Sequence, residues 1–166
     1  RRGRTVFVLH PHRTRYIVPS SAVHVVPVDV PPSRAVLAAN FETAINGVWD
    51  GRPHVGDRIS VIGAGTVGCL AAWLASRMPA CDVELVDVNP GRAQIARALG
   101  IPFAQPHGAT RDADLVIHAS GSPDGLALAL DLAGIEATVV ELSWFGDRAV
   151  PLALGGAFHS KRLTIV

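Results

Sequence analysis

The chain has 166 residues, 49% of them hydrophobic and 5% aromatic, with a formal net charge of +1 at pH 7. That length accommodates one compact core with an appendage rather than two full domains. The near-neutral balance argues against nucleic acid or an anionic membrane surface as a partner, and no apolar run reaches the roughly 18 residues that span a bilayer.

Up to about Pro32 the sequence is rich in Val, Pro, His and Arg. The basic clusters Arg1-Arg2-Gly3-Arg4 and His12-Arg13-Thr14-Arg15 lack interleaved aromatics and read as solvated surface. No long apolar stretch with a small-residue cleavage site follows them, as a signal peptide would require. Three short extended pieces, Thr5 to Leu9, Tyr16 to Val18 and Val23 to Val26, are punctuated by Pro11, Pro19 and Pro27. Proline fixes φ and lacks a donor, so these pieces read as short β elements. They are too few and too short for a stable sheet of their own. Residues 1–32 are therefore expected to be the tail of another domain, and residues 33–166 the domain that follows.

Pro32-Ser33 opens a helical pattern over Ala35 to Trp49, with Val36, Ala39, Ala44 and Val48 on one side. Asp50-Gly51-Arg52-Pro53 ends it, and His54-Val55-Gly56-Asp57 is a turn into the first buried strand. From Asp57 onward a βα rhythm sets in. Arg58 to Ile62 is a strand, and Thr66 to Arg77 a helix with Val67, Leu70, Ala71 and Leu74 on one face. Val83 to Val88 is a second strand. Asn89-Pro90 opens a helix to Leu99, asparagine capping it and proline at its first position, with Gly100 as its stop. A short third strand falls at Pro102 to Ala104 and a fourth at Asp114 to Ala119. A helix then runs from Pro123 to Ala133, facing inward with Leu126, Ala129, Leu130 and Ala133. Ala137 to Leu142 and Arg162 to Val166 are the fifth and sixth strands. Strands alternating with helices imply an α/β fold: a Rossmann-type, doubly wound parallel sheet of about six strands with right-handed crossovers. Cys69 falls in a helix and Cys81 at a strand start, so both read as buried free thiols of a reducing compartment, the cytoplasm.

The chemistry concentrates at Gly63-Ala64-Gly65-Thr66-Val67-Gly68. A G-x-G-x-x-G turn alone is weak evidence, but this one joins an apolar strand to an amphipathic helix. Gly63 permits the tight turn, Gly65 lets the backbone approach a pyrophosphate, and Gly68 allows close helix–strand packing. The helix N-terminus at Thr66 and Val67 turns free N–H groups and the positive dipole end toward the phosphates. Asp87, 19 residues after Gly68 at the end of the second strand, is placed to accept hydrogen bonds from an adenosine ribose. Its charge repels a 2′-phosphate and Val88 offers no compensating cation, so NAD is expected over NADP. Arg92, on the next helix's first turn, would lie over the adenine or pair with Asp87. Ala119 and Ser120, ending the fourth strand, are small enough to let a nicotinamide lie close.

These residues resemble those of the medium-chain dehydrogenase/reductases, the zinc-type alcohol dehydrogenase superfamily. Gly3-Arg4-Thr5-Val6-Phe7 looks like a strand late in that family's catalytic domain, and Tyr16 to Pro19 through Val26-Pro27 like its return strands. Val36 to Val48 is similar to the helix joining the two domains. Val55-Gly56-Asp57-Arg58-Ile59-Ser60-Val61-Ile62-Gly63-Ala64-Gly65 matches the approach to the cofactor domain. The resemblance implies an NAD-binding domain that lacks most of a GroES-like catalytic domain, with Thr43 near the nicotinamide and small-molecule alcohols or carbonyls as substrates. It also implies a homodimer through the C-terminal edge strand Leu163 to Val166.

Two departures stand out. Where long zinc-binding members carry a four-cysteine lobe, this chain has only His10 to Arg15, and Ala39 stands where many relatives have a zinc ligand. Zinc is therefore not expected in this chain, and no catalytic residue is assigned. His10 and His12 read as solvated loop histidines, and His118 as a hydrogen-bonded core histidine. Glu141 and Trp144 read as sheet-edge packing or the lining of a cleft. Two other readings share the glycine turn, an S-adenosylmethionine-dependent methyltransferase and a non-catalytic NAD-sensing module.

Overall fold

Apolar runs rich in Val and Ile form strands where both faces can be buried, and helices following them at once return the chain in parallel. The computed structural model, which describes residues 3–166, has that architecture. Arg1 and Arg2, the start of the first basic cluster, lie outside the described residues.

In the N-terminal segment β1 (Val6–Phe7) pairs antiparallel with β2 (His24–Val25). The strand expected at Tyr16 to Val18 does not form; Tyr16 instead stacks on His10, ring centroids 4.5 Å apart. Then come α1 (Pro32–Ala35) and α2 (Ala38–Gly51). The single helix expected from Ala35 is thus interrupted at Val36 and Leu37. α2 buries Ala44 and Gly47, whereas Val36 is exposed. The inward face is set by small residues: a Cβ on Gly47 would press on Leu142, and one on Gly51 on Leu115 and Val140.

The main sheet is formed by β3 (Arg58–Ile62), β4 (Asp82–Val86), β5 (Phe103–Ala104), β6 (Ala113–His118), β7 (Ala133–Glu141) and β8 (Thr164–Ile165). Its order is β5-β4-β3-β6-β7-β8, and all its pairs are parallel. The chain winds outward from β3 in one direction and from β6 in the other. That reversal opens a crevice beyond the carboxyl ends of these two strands. The strands lie where the alternation put them, with shifted ends: β4 stops at Val86, β7 starts at Ala133, directly after its preceding helix, and β8 keeps only Thr164–Ile165 of the expected Arg162 to Val166.

On one face α3 (Thr66–Ala75) and α4 (Ala93–Leu99) cover Ile59, Val61, Leu85, Leu115 and Ile117. On the other, α5 (Pro123–Leu132) covers Ile62, Val116 and Val139 through Leu126, Ala129 and Leu130. The inward stripe of α3 is Gly68, Ala71, Ala72 and Ala75 rather than the expected Val67, Leu70 and Leu74, which are only half-buried. α2 and α3 pack side by side on this face of the sheet, α2 against β6 and β7, so the small residues of α3 meet the strands and Leu70, Trp73 and Leu74 pack around its flanks. The helix expected from Asn89-Pro90 begins as a 3-10 turn at Pro90–Arg92 and becomes α4 only at Ala93; Asn89 caps that turn, its side chain accepting from the Gly91 N–H at 2.9 Å. The link from β5 to β6 holds only a 3-10 turn at Pro106–Gly108. On the strand surface beside it Glu84 accepts hydrogen bonds from the Thr110 N–H (2.9 Å) and hydroxyl (3.2 Å).

Candidate functional site

At the end of β3, Gly63 adopts φ 105°, a backbone conformation that suits glycine. Its N–H donates to the Val86 carbonyl at 2.8 Å. A Cβ on Gly63 would lie 2.7 Å from Ser120 Cα and N, so the turn touches the chain leaving β6. A Cβ on Gly68 would collide with the Gly63 carbonyl oxygen, which fixes how closely α3 approaches the strand it follows. Gly65 differs: nothing lies within 4 Å of a Cβ built there, and it faces the open crevice. No side chain caps α3, so the first-turn N–H groups of Thr66 and Val67 have no intrahelical acceptor and remain free to donate.

The Asp87 carboxylate reaches back to this turn. Its Oδ2 accepts from the Ala64 N–H at 2.7 Å and its Oδ1 from the Asn89 N–H at 2.8 Å. Each carboxylate oxygen keeps a second lone-pair direction for a hydroxyl. Asp87 thus fixes the glycine turn while facing the crevice. Cys69, on the second turn of α3, is half-buried. Burial pushes its thiol upward, Arg92 opposes the shift and Asp87 adds to it.

Gly63, Gly65, Asp87, Val88, Arg92, Ala119 and Ser120 line one cleft of about 850 Å³. Thr66, Val67 and Gly68 form the helix start beside it. The expected residues are therefore brought together with the exception of Thr43, which is exposed on α2 and donates its hydroxyl to the Ala39 carbonyl at 3.2 Å. Thr43 is absent from the cleft lining because the inward side of α2 is the Ala44–Gly47 side. Of the two arrangements expected for Arg92, the pairing with Asp87 does not occur: among the described residues Arg92 forms no ion pair. The far wall comes from α5 and the turn before it, including Ser122, Asp124 and Asp131. The two aspartates escaped the sequence reading because their helix faces the site only after two crossovers.

Beneath Ser120 lies a buried polar network. His118 and Glu141 are register partners at the carboxyl ends of β6 and β7. His118 Nδ1 stands 2.7 Å from Glu141 Oε2, and Nε2 stands 2.6 Å from Ser120 Oγ. The Ser143 N–H donates to Glu141 Oε1 at 2.6 Å, and the Gly121 N–H donates to Ser143 Oγ at 3.0 Å. His118 is hydrogen-bonded and fully buried as expected, and Glu141 is its partner rather than sheet-edge packing. The available signal was the pair of patterns His-x-Ser and Glu-x-Ser closing two adjacent parallel strands.

Among the described residues no group of three or more His, Cys, Asp or Glu side chains is placed to hold a metal ion. His10 donates from Nδ1 to the Pro11 carbonyl at 2.9 Å. No helix of the described residues is long and apolar enough to cross a membrane. The cleft at the strand-order reversal, the glycine turn and the carboxylate at the end of β4 define a Rossmann-type dinucleotide-binding domain.

No family model matches the chain. It is 31% identical to L-threonine 3-dehydrogenase of Rhizobium rhizogenes over 117 residues, which are 70% of this chain and 33% of that protein. The alcohol dehydrogenase TADH from Thermus sp. ATN1 superposes with a TM-score of 0.73 at 27% identity, covering 87% of this chain and 46% of that one. A Sinorhizobium meliloti 1021 protein described as a zinc-binding dehydrogenase, bound to NADP, superposes with a TM-score of 0.77 at 19% identity, covering 89% and 47%. Over the matched residues the chain is similar to these dehydrogenases in sequence and in fold. It spans about a third of the length of the curated relatives it matches.

Proposed function

We propose that this chain is the NAD(H)-binding part of an alcohol dehydrogenase-type oxidoreductase whose whole form interconverts small-molecule alcohols and carbonyls. The observation that carries this reading is the Asp87 carboxylate, which closes the glycine turn and faces the same cleft. Open space at Gly65 fits a pyrophosphate lying against the backbone, with the Thr66 and Val67 N–H groups as its donors. Asp87 would accept from ribose hydroxyls, Val88 and Arg92 would flank the adenosine, and Ala119 and Ser120 would border the nicotinamide half. Thr43 would approach that half only by contributing from outside the cleft lining. The nicotinamide, when bound, supplies hydride exchange with a carbinol or carbonyl carbon. The residues of this chain bind and orient it.

NAD is preferred over NADP in this reading. Asp87, Asp124 and Asp131 line the cleft, and Arg92 is the sole cation among its lining residues. A 2′-phosphate would add about two negative charges to a cleft whose lining already holds three carboxylates. A methyltransferase reading has no support from the sheet, in which every main-sheet pair is parallel. A non-catalytic NAD-sensing module would use the same cleft and differ only in lacking turnover. Residues 1–32 would be the end of a catalytic domain and residues 33–166 the cofactor domain, as the exposed Leu9, Ile17 and Val28 suggest by offering apolar surface to a cover. The half-buried free thiols Cys69 and Cys81 suit the reducing cytoplasm. Replacing Asp87 by Asn tests the cofactor preference. The reading expects a narrower NADH-over-NADPH affinity ratio in direct titration, and an unchanged ratio would remove Asp87 from the discrimination.

A further inference from the structure

We infer that His118 and Glu141 are positioning residues that hold the Ser120 hydroxyl as a hydrogen-bond acceptor toward the cleft, for a donor group on the nicotinamide half of the cofactor. The inference rests on the proposed cofactor reading and assigns a role to a buried network that reading leaves unused. The Glu141 carboxylate accepts from His118 Nδ1 at 2.7 Å and is held on its other oxygen by the Ser143 N–H at 2.6 Å. A carboxylate only accepts, so the proton of a neutral imidazole stays on Nδ1 and Nε2 is left as an acceptor. The Ser120 O–H must then donate to Nε2, 2.6 Å away. Ser120 Oγ accepts from the Ser122 N–H at 3.2 Å. One lone pair remains, on an exposed residue lining the cleft. Gly125 makes the arrangement possible, because a Cβ there would collide with Ser120 Oγ and lie 2.7 Å from His118 Nε2.

The same three side chains in this order resemble a nucleophile with its base, but the surroundings favour the positioning role. The nearby backbone donors are spent: the Gly121 N–H on Ser143 Oγ and the Ser122 N–H on Ser120 itself. An acyl-transfer site needs such donors free for a developing oxyanion.

The test compares NADH with ADP, which spans only the glycine-turn and Asp87 half of the cleft. Ser120→Ala and Glu141→Gln should each weaken NADH about tenfold and leave ADP unchanged, the loss expected for one hydrogen bond to a buried partner. Nitrogen-15 NMR of the unsubstituted chain should show His118 with its proton on Nδ1. Nicotinic acid adenine dinucleotide separates the two sources of the donor. If Ser120 meets the carboxamide, Ser120→Ala no longer distinguishes this analogue from NAD, and if it meets the ribose the distinction persists. Equal weakening of ADP and NADH, an Nε2–H tautomer, or phosphonylation of Ser120 by a fluorophosphonate would each overturn the inference. Should the unsubstituted chain bind neither nucleotide, the cofactor reading itself fails, and the tautomer measurement still decides the relay.

Discussion

Asp87 carries two duties at once: it closes the glycine turn through the Ala64 N–H and faces the cleft with its remaining lone pairs. Asp87→Ala is therefore expected to weaken NADH binding by about 1–3 kcal/mol in isothermal titration, and an unchanged affinity would remove it from the site. Cys69 offers a second check at this scale. Its thiol is raised mainly by burial, so it stays protonated near neutrality and should alkylate slowly with iodoacetamide, speeding up only above the ordinary thiol range. Fast alkylation at pH 7 would contradict that environment. The glycines and Asp87 were legible in the sequence because their spacing is short and each follows a strand. The His118–Glu141 pair was not, because the two residues are 23 positions apart and meet only through the register of β6 on β7. The position of Thr43 outside the cleft lining was not legible for a related reason: it depends on which side of α2 turns inward, and two small residues, Ala44 and Gly47, decide that.

At the scale of elements, the two glycines flanking the start of α3 should separate folding from binding. Gly68→Ala places a methyl on the Gly63 carbonyl and is expected to cost about 1–3 kcal/mol of stability, as overpacking does, read as a lower urea midpoint. Gly65→Ala meets open space and should leave the midpoint within about 0.5 kcal/mol while weakening NADH and ADP alike. The reverse pattern would mean that the crevice is not where the phosphates lie. Strand and helix positions were readable because turn residues separate nearly every pair. The α3 stripe was misassigned by one position because the helix is apolar nearly all round, and periodicity loses its power when several faces are covered.

For the whole molecule, the sheet ends on β8, whose outer edge has no neighbouring strand among the described residues. An edge strand invites pairing with a second copy, and we propose a dimer through Leu163 to Val166. Light scattering should give twice the chain mass, and a monomer at high concentration would refute it. The parallel sense of the six strands followed from the βα alternation, whereas their order β5-β4-β3-β6-β7-β8 left no local trace and emerges only from the fold. The antiparallel β1–β2 pair was foreseen only as extended pieces, since pairing across 16 intervening residues leaves no local trace. The most direct test of the central claim is calorimetric titration of the chain with NADH, NADPH and S-adenosylmethionine in parallel. NADH should bind tightest, NADPH more weakly and S-adenosylmethionine not at all; tighter S-adenosylmethionine binding, or binding of none of the three, would rule out a dinucleotide site at the glycine turn.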